Sequence, residues 1–245
     1  GDHINAGVER YKDLNQKHLE QVGEGAEDDI QYVEVKTSRS GIHIAAAAKI
    51  SAEINKKPAS VEYHHQTENG RAITVIGAQT DDKGSFSLIK TTALYRSDDI
   101  NIGNALEAAI EKARGLGEFT DLLEESKQAW LKIWEKLDIE VDGDRLAQKL
   151  LRLHIYHMLS SISPHNAGID AGIPARGLHG EAYRGHIFWD EIYILPLYFM
   201  HYPDAAKAVL MYRYKRLDEA RKYARENGEK GAMFPWQSGS DGREE

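Results

Sequence analysis

The sequence predicts an α+β chain in which an antiparallel sheet is followed by an array of helices. Three observations predict it. From Gln31 to about Ser97, apolar residues recur at every second position. At about residue 100 the period changes to the 3.6 of a helix. Between Ser163 and about Ile187 neither period runs, although aromatic and charged residues crowd there.

The elements follow in order. Residues 1–30 predict a turn of helix around Val8 to Leu19 and then an acidic loop. Val33 and Val35 alternate with polar neighbours, as do Ile42 and Ile44, Val61 and Tyr63, Ile73 and Val75, and Phe86 and Leu88. Turn sequences separate them, including Ser-Arg-Ser-Gly (38–41), Asn-Lys-Lys-Pro (55–58), Glu-Asn-Gly (68–70) and Asp-Asp-Lys-Gly (81–84). Short alternating runs at even spacing mean antiparallel sheet, sandwich-like in kind. About five strands are too few to close a large sandwich, so earlier strands are expected upstream.

Asn104, with Glu107 three residues on, marks the start of a helix over 105–114 that stops at Gly115 and Gly117. A second helix, over about 121–137, carries Trp130, Trp134 and Leu137 on one stripe. A third, over about 144–162, carries two: Leu146, Leu150, Leu153 and Tyr156, then Leu151, Ile155, Met158 and Ile162. A helix apolar on two faces is expected between other helices. Phe188–His201 reads as a further buried helix, and Pro203 opens a fifth that runs to about Asn227 and ends at Gly228. Buried helices joined by Gly- and aromatic-rich loops suit a helical barrel or bundle whose loops build a site.

Composition sets limits. The 245 residues are 41% hydrophobic and 29% charged, with a net charge of -8. Nothing in that balance attracts nucleic acid or an anionic membrane. No apolar run approaches the ~18 residues of a membrane span. Without cysteine there is no disulfide, thiol nucleophile or cysteine metal site. Compartment is therefore unreadable. No signal peptide is seen, and both ends read as the cut ends of a longer protein.

The aperiodic segment concentrates the chemistry. It runs Ala-Arg-Gly-Leu-His-Gly-Glu-Ala-Tyr-Arg-Gly-His-Ile-Phe-Trp-Asp-Glu over 175–191, and loops longer than ~12–15 residues inside a domain are usually functional or disordered. An indole beside a carboxylate, Trp189–Asp190, suits a sugar: the ring stacks on the C–H face, and the carboxylate accepts from two hydroxyls. The bland alternative makes Trp189 core and Asp190 a helix cap. A second aromatic loop, Phe234-Pro-Trp236-Gln237, weights the balance toward sugar. Arg176 and Arg184 suit an anion, or ion pairs with Glu181, Asp190 or Glu191. Glycines 177, 180 and 185 lack the Lys-Ser/Thr and preceding strand of a nucleotide loop. His154 and His157, His64 and His65, and His179 and His186 lie outside any His-Glu-x-x-His frame, so no metal is expected, and His154 and His157 read as helix-packing residues. No Gly-x-Ser-x-Gly elbow is present. Carboxylate pairs remain as the engine of glycoside cleavage, with Glu181, Asp190, Glu191 and the terminal Asp241, Glu244 and Glu245 available. The terminal three read as exposed loop.

The 175–191 segment resembles the signature of glycoside hydrolase family 65. So do Tyr212-Arg-Tyr-Lys-Arg-Leu-Asp-Glu-Ala-Arg-Lys and Gly231-Ala-Met-Phe-Pro-Trp236-Gln-Ser. The match is specific over about 140–245 and weaker over 30–140. That family holds maltose, trehalose, kojibiose and nigerose phosphorylases and a few hydrolases. The resemblance implies a multidomain fragment. Residues 1–98 would be the C-terminal part of a β-sandwich, 99–140 a helical linker, and 141–245 the first helices of an incomplete (α/α)6 barrel. It implies cleavage of an α-glucosidic disaccharide with inversion, by water or by inorganic phosphate as co-substrate, with no cofactor. Trp189 and Asp190 would line the glucose subsite, with Tyr183, Arg184 and Trp236 beside them. The general-acid glutamate would lie beyond Glu245. The expected partners are the disaccharide or glucose, and a second copy of the chain or the remainder of the barrel. The alternative is a sugar-binding or scaffold fragment without activity of its own. Two departures stand out: His179 and Gln237 replace the usual Thr and Glu of the phosphorylases, and Trp-Asp-Glu is one residue shorter than Trp-Asp-Thr-Glu. They lean the reading toward a hydrolase-like branch.

Overall fold

The computed structural model describes residues 18–81, 83–177 and 183–244, with the side chain of Arg184 left undescribed. It has two compact units, 1–125 and 126–245. It mixes antiparallel sheets with helices, as expected.

The first unit is built on a long alanine-rich strand. β1 (Leu19–Glu27), β2 (Ile30–Thr37) and β3 (His43–Ile54) pair in sequence, all antiparallel. β4 (Lys57–Pro58) adds two residues at the end of β3, and β7 (Phe86–Arg96) runs along its other edge, from Ile44↔Arg96 to Ile54↔Phe86. β5 (Tyr63–Glu68) and β6 (Arg71–Ile76) form a separate hairpin through Asn69 and Gly70, both at positive φ. Such a turn needs the left-handed region that Asn and Gly tolerate best. The acidic loop expected after residue 19 is instead β1. The helix expected over 8–19 lies almost wholly outside the described residues.

The alternation places the strands but not their buried faces. In β6 the half-buried residues are Ala72, Thr74 and Ile76, while Ile73 and Val75 are exposed. Phe86 and Leu88 of β7 are exposed as well. The core of this unit is small. Ile30, Ala45, Ala47 and Ala93 of the sheet meet Ala105, Ala109 and Ala113 of helix α1 (Ala105–Gly115). Alanine at every fourth position gives α1 a narrow smooth stripe. The Asn104 side chain caps it, accepting from the amides of Leu106 and Glu107 at 2.9 and 3.2 Å.

α2 (Phe119–Leu137) spans the boundary at 125/126. In the second unit its Trp130 packs on Trp134, with ring centroids 6.3 Å apart, and on Tyr156 at 5.2 Å. α3 (Arg145–Ser161) begins at Asp144, which caps the amides of Leu146 and Ala147. The two-sided burial expected of α3 is not found. Ile155 is its buried residue, and Leu146, Leu150, Leu153 and Tyr156 are exposed. His154, expected in packing, is exposed too.

A short 3-10 turn, Pro164–Gly168, follows α3. Two-residue strands β8 (Ile187–Phe188) and β9 (Gln237–Ser238) pair with each other. The helix expected from Phe188 begins three residues later, as α4 (Glu191–His201), because Ile187 and Phe188 are taken up by β8. Its Leu195 and Tyr198 are buried, while Ile192, Tyr193, Phe199 and Met200 are exposed. The single long helix expected after Pro203 is two, α5 (Pro203–Lys215) and α6 (Leu217–Glu226). The break is at Arg216 (φ -104°, ψ 16°), whose guanidinium is held by Asp170 at 3.1 Å, by the Ser240 carbonyl at 2.7 Å and over the Tyr212 ring at 3.6 Å. The core here is Ile162, Ile173, Leu195, Tyr198, Ala205, Ala206 and Val209. No described helix is long and apolar enough to cross a membrane.

Candidate sugar-binding site

The site is set by the smallest sheet in the molecule. Ile187 pairs with Ser238 and Phe188 with Gln237, and all four residues are buried. In an antiparallel pair, the residue after one strand and the residue before the other leave at the same end. Those residues are Trp189 and Trp236. Their rings meet at 5.0 Å between centroids with planes 42° apart. Tyr193, one turn into α4, closes edge-on against Trp189 at 5.4 Å and 70°. Trp189 is half-buried, whereas Trp236 is 61% exposed, so the pair presents an open aromatic face.

Each half of the pair is anchored. The Glu244 carboxylate accepts from the backbone amides of Trp236 (2.7 Å) and Gln237 (3.3 Å). The Gln237 amide nitrogen lies 2.9 Å from His186 Nδ1. On the other side, Glu191 is 5% exposed and accepts from the amide of Ile173 at 2.8 Å and from Arg213 Nε at 2.9 Å. Burial pushes its carboxyl above the ordinary value, and Arg213 pulls in the opposite direction with less effect. Arg213 also donates to the Phe188 carbonyl at 3.3 Å.

Asp190 stands at the N-cap position of α4 but makes no side-chain capping bond, and it is exposed. Its backbone is already helical (φ -54°, ψ -19°), whereas a capping residue is extended. The capping alternative thus falls away. An uncapped carboxylate beside an indole, at the positive end of a helix, is chemically able to accept from paired hydroxyls.

The other expected residues are placed as follows. Tyr183 packs on Phe188 at 4.9 Å rather than on a tryptophan, is 47% exposed, and holds φ at 55°. Positive φ in an aromatic residue is a strained backbone, of the kind found at ligand sites. Arg176 is exposed, and the ion pair expected of the loop arginines with Glu191 is made by Arg213 instead. His179 and Glu181 lie outside the described residues, as does Glu245. Asp241 pairs with Arg243. Glu244, expected in exposed loop, is exposed and also clamps the Trp236 backbone. His64 is exposed, and His65 stacks on Tyr63 and reaches Thr74 at 3.1 Å. Among the described residues no three His, Asp or Glu side chains could hold a metal ion. Sequence reading missed Tyr193, Arg213 and the anchoring role of Glu244. The i, i+4 spacing of Trp189 and Tyr193 was the one signal available.

Comparison with known proteins identifies the family. The model of the glycosyl hydrolase family 65 N-terminal domain matches residues 1–133, and that of the family's central catalytic domain matches 152–245. An uncharacterised glycosyl hydrolase of Mycobacterium tuberculosis is 39% identical over 243 residues, covering 98% of this chain and 18% of that protein. A kojibiose phosphorylase of Halothermothrix orenii is 34% identical over 257 residues, covering 100% of this chain and 31% of its own length. An alpha,alpha-trehalose phosphorylase of Geobacillus stearothermophilus is 36% identical over 221 residues, with 88% and 27% covered. Among solved structures, a human-microbiome protein assigned as a kojibiose phosphorylase superposes with a TM-score of 0.70 at 25% identity, over 93% of this chain and 29% of that one. The chain spans less than a third of the length of each of these relatives. With both of its units covered by models of one family, the chain belongs to glycosyl hydrolase family 65.

Proposed function

We propose that this chain supplies the glucose-binding face of an enzyme that cleaves an α-glucosidic disaccharide with inversion. The single observation that carries the reading is the Trp189–Trp236 pair, with Asp190 next to Trp189 in the chain and making no capping bond. Trp189 stacks on the sugar ring, Asp190 accepts from two of its hydroxyls, and Trp236 extends the aromatic face toward the second sugar. Tyr183 and Arg184 belong to the same subsite in this reading. The kojibiose and trehalose phosphorylases among the relatives support an α-glucoside substrate and phosphate as the attacking group, with water as the alternative. No cofactor or metal takes part. The general-acid glutamate comes from the remainder of a helical (α/α)6 barrel. In this reading residues 1–98 end a β-sandwich, 99–140 link, and 141–245 begin the barrel. The exposed apolar stripes of α3 and α4 face that remainder or a second copy.

The test is Asp190→Ala in the full-length protein, assayed on kojibiose, nigerose, maltose and trehalose with and without phosphate. Losing two hydrogen bonds to a charged group, at about 1.5–3 kcal/mol each, lowers turnover by roughly 150- to 3 × 10⁴-fold on every substrate. An unchanged rate removes Asp190 from the site. A second reading is a sugar-binding module without chemistry. Calorimetric binding of glucose to the chain without turnover supports it.

A further inference from the structure

The two residues between β8 and α4 that carry the proposed sugar contacts are held from both sides by a single side chain. Arg213 of α5 donates through Nη2 to the carbonyl of Phe188, the residue before Trp189. Through Nε it donates to the carboxylate of Glu191, the residue after Asp190. The second oxygen of Glu191 accepts from the amide of Ile173, which ties the preceding loop to the same point. Gly172 leaves room for this contact, since a Cβ there would sit 2.7 Å from that oxygen. Three separate segments thus converge on one ion pair, 16% exposed at Arg213 and 5% at Glu191.

We propose that Arg213 and Glu191 are positioning residues that hold Trp189 and Asp190 in register with Trp236. The role in binding rests on the sugar reading above; the geometric role does not. A buried ion pair contributes little net stability, because desolvation offsets most of the attraction. What a planar guanidinium with several fixed donors supplies is geometry, since two acceptors on different segments are set at a defined separation. No ligand contact is needed from either residue. Both act through the segment that carries Trp189 and Asp190, which they bond at either end.

The experiment uses the exciton coupling of the indoles. Two rings 5.0 Å apart with planes inclined at 42° give a couplet in circular dichroism. Trp236→Phe in the otherwise unaltered chain defines that component and separates it from the Trp130–Trp134 pair. The double variant Glu191→Gln/Arg213→Met carries no unpaired buried charge and keeps an acceptor for the Ile173 amide. The expected result is a folded chain with unaltered helix signal that lacks the Trp236-dependent couplet and binds glucose at least about tenfold more weakly by calorimetry. A folded double variant with the couplet at full amplitude overturns the proposal. If the double variant does not fold, Arg213→Lys decides, because one nitrogen then replaces two. A reduced couplet supports positioning, and a full couplet overturns it. If the unaltered chain ignores glucose while the couplet still depends on Arg213, the sugar reading fails and the positioning role stands.

Discussion

Replacing Gly177 by alanine would force the loop that leads to the site away from the end of α3. A Cβ at 177 would lie 2.0 Å from the Ser160 carbonyl oxygen, 2.3 Å from its carbon and 2.5 Å from the Ser161 nitrogen. Ordinary contact begins at 3.4 Å, so the two backbones must part by 1.4 Å, the difference between 3.4 and 2.0. No rotamer change can absorb this, because the obstacle is main chain. Ser160 and Ser161 are also fixed: they end α3, and their hydroxyls bond the carbonyls of Tyr156 and His157. Overpacking of this kind costs about 1–3 kcal/mol, and the rigid obstacle puts Gly177→Ala at the upper end. For a unit of this size that lowers Tm by roughly 12 °C. Differential scanning calorimetry measures it, and hydrogen exchange should quicken at the last turn of α3. Gly185→Ala is the control. That position has φ +70° and nothing within 4 Å, so only backbone strain of about 1–2 kcal/mol applies. If Gly177→Ala melts within about 2 °C of the parent, or above Gly185→Ala, the close approach described here is wrong.

Two further outcomes follow from the second unit. Tyr198 is fully buried and its hydroxyl donates to Met158 O at 2.8 Å and Ile162 O at 3.3 Å, the first being one of the orphan carbonyls at the end of α3. Tyr198→Phe should cost about 1–2 kcal/mol in urea unfolding with an unchanged m-value. Burial raises Glu191 above its ordinary 4.5, so the folded chain holds that proton more tightly than the unfolded chain does. Its contribution to stability therefore falls as pH rises from 4.5 through the raised value. Melting curves of the parent and Glu191→Gln should show the parent's advantage shrinking over that interval. Asp98 has the opposite sign. The Arg96 side chain holds it below 3.8, so its contribution is present above that pH and is lost on acidification.

Legibility in the sequence was uneven, for physical reasons. Period two located β2, β3, β5, β6 and β7 because alternation is local, but it missed β1 and did not show which face is buried. In β6 the larger apolar residues Ile73 and Val75 are the exposed ones, a matter of what packs on the sheet. The cap at Asn104 was legible because it needs only a short polar side chain before a helix. The break at Arg216 was not, since no Gly or Pro marks it and its cause is a guanidinium held by residues 24 and 46 positions away. At the site, Trp189 and Trp236 stood out by type and surroundings. Their juxtaposition depends on the Phe188↔Gln237 pairing, which two-residue strands cannot announce. The pairing of Arg213 with Glu191, 22 residues apart, carried no local signal.

The alanine seam between α1 and the sheet has a mechanical consequence. Where large side chains interdigitate, a helix can roll by letting them change rotamer. Here the opposing surfaces are largely methyl groups on main chain, with Ala109 and Ala113 meeting Ala45, Ala47 and Ala93, and with Ile30, Tyr32, Tyr95, Leu106 and Ile110 as the larger side chains of the contact. Methyl groups have no rotamers to exchange. α1 is therefore fixed against the sheet as a rail rather than a hinge, and a bulkier residue anywhere along the seam would lift its whole length.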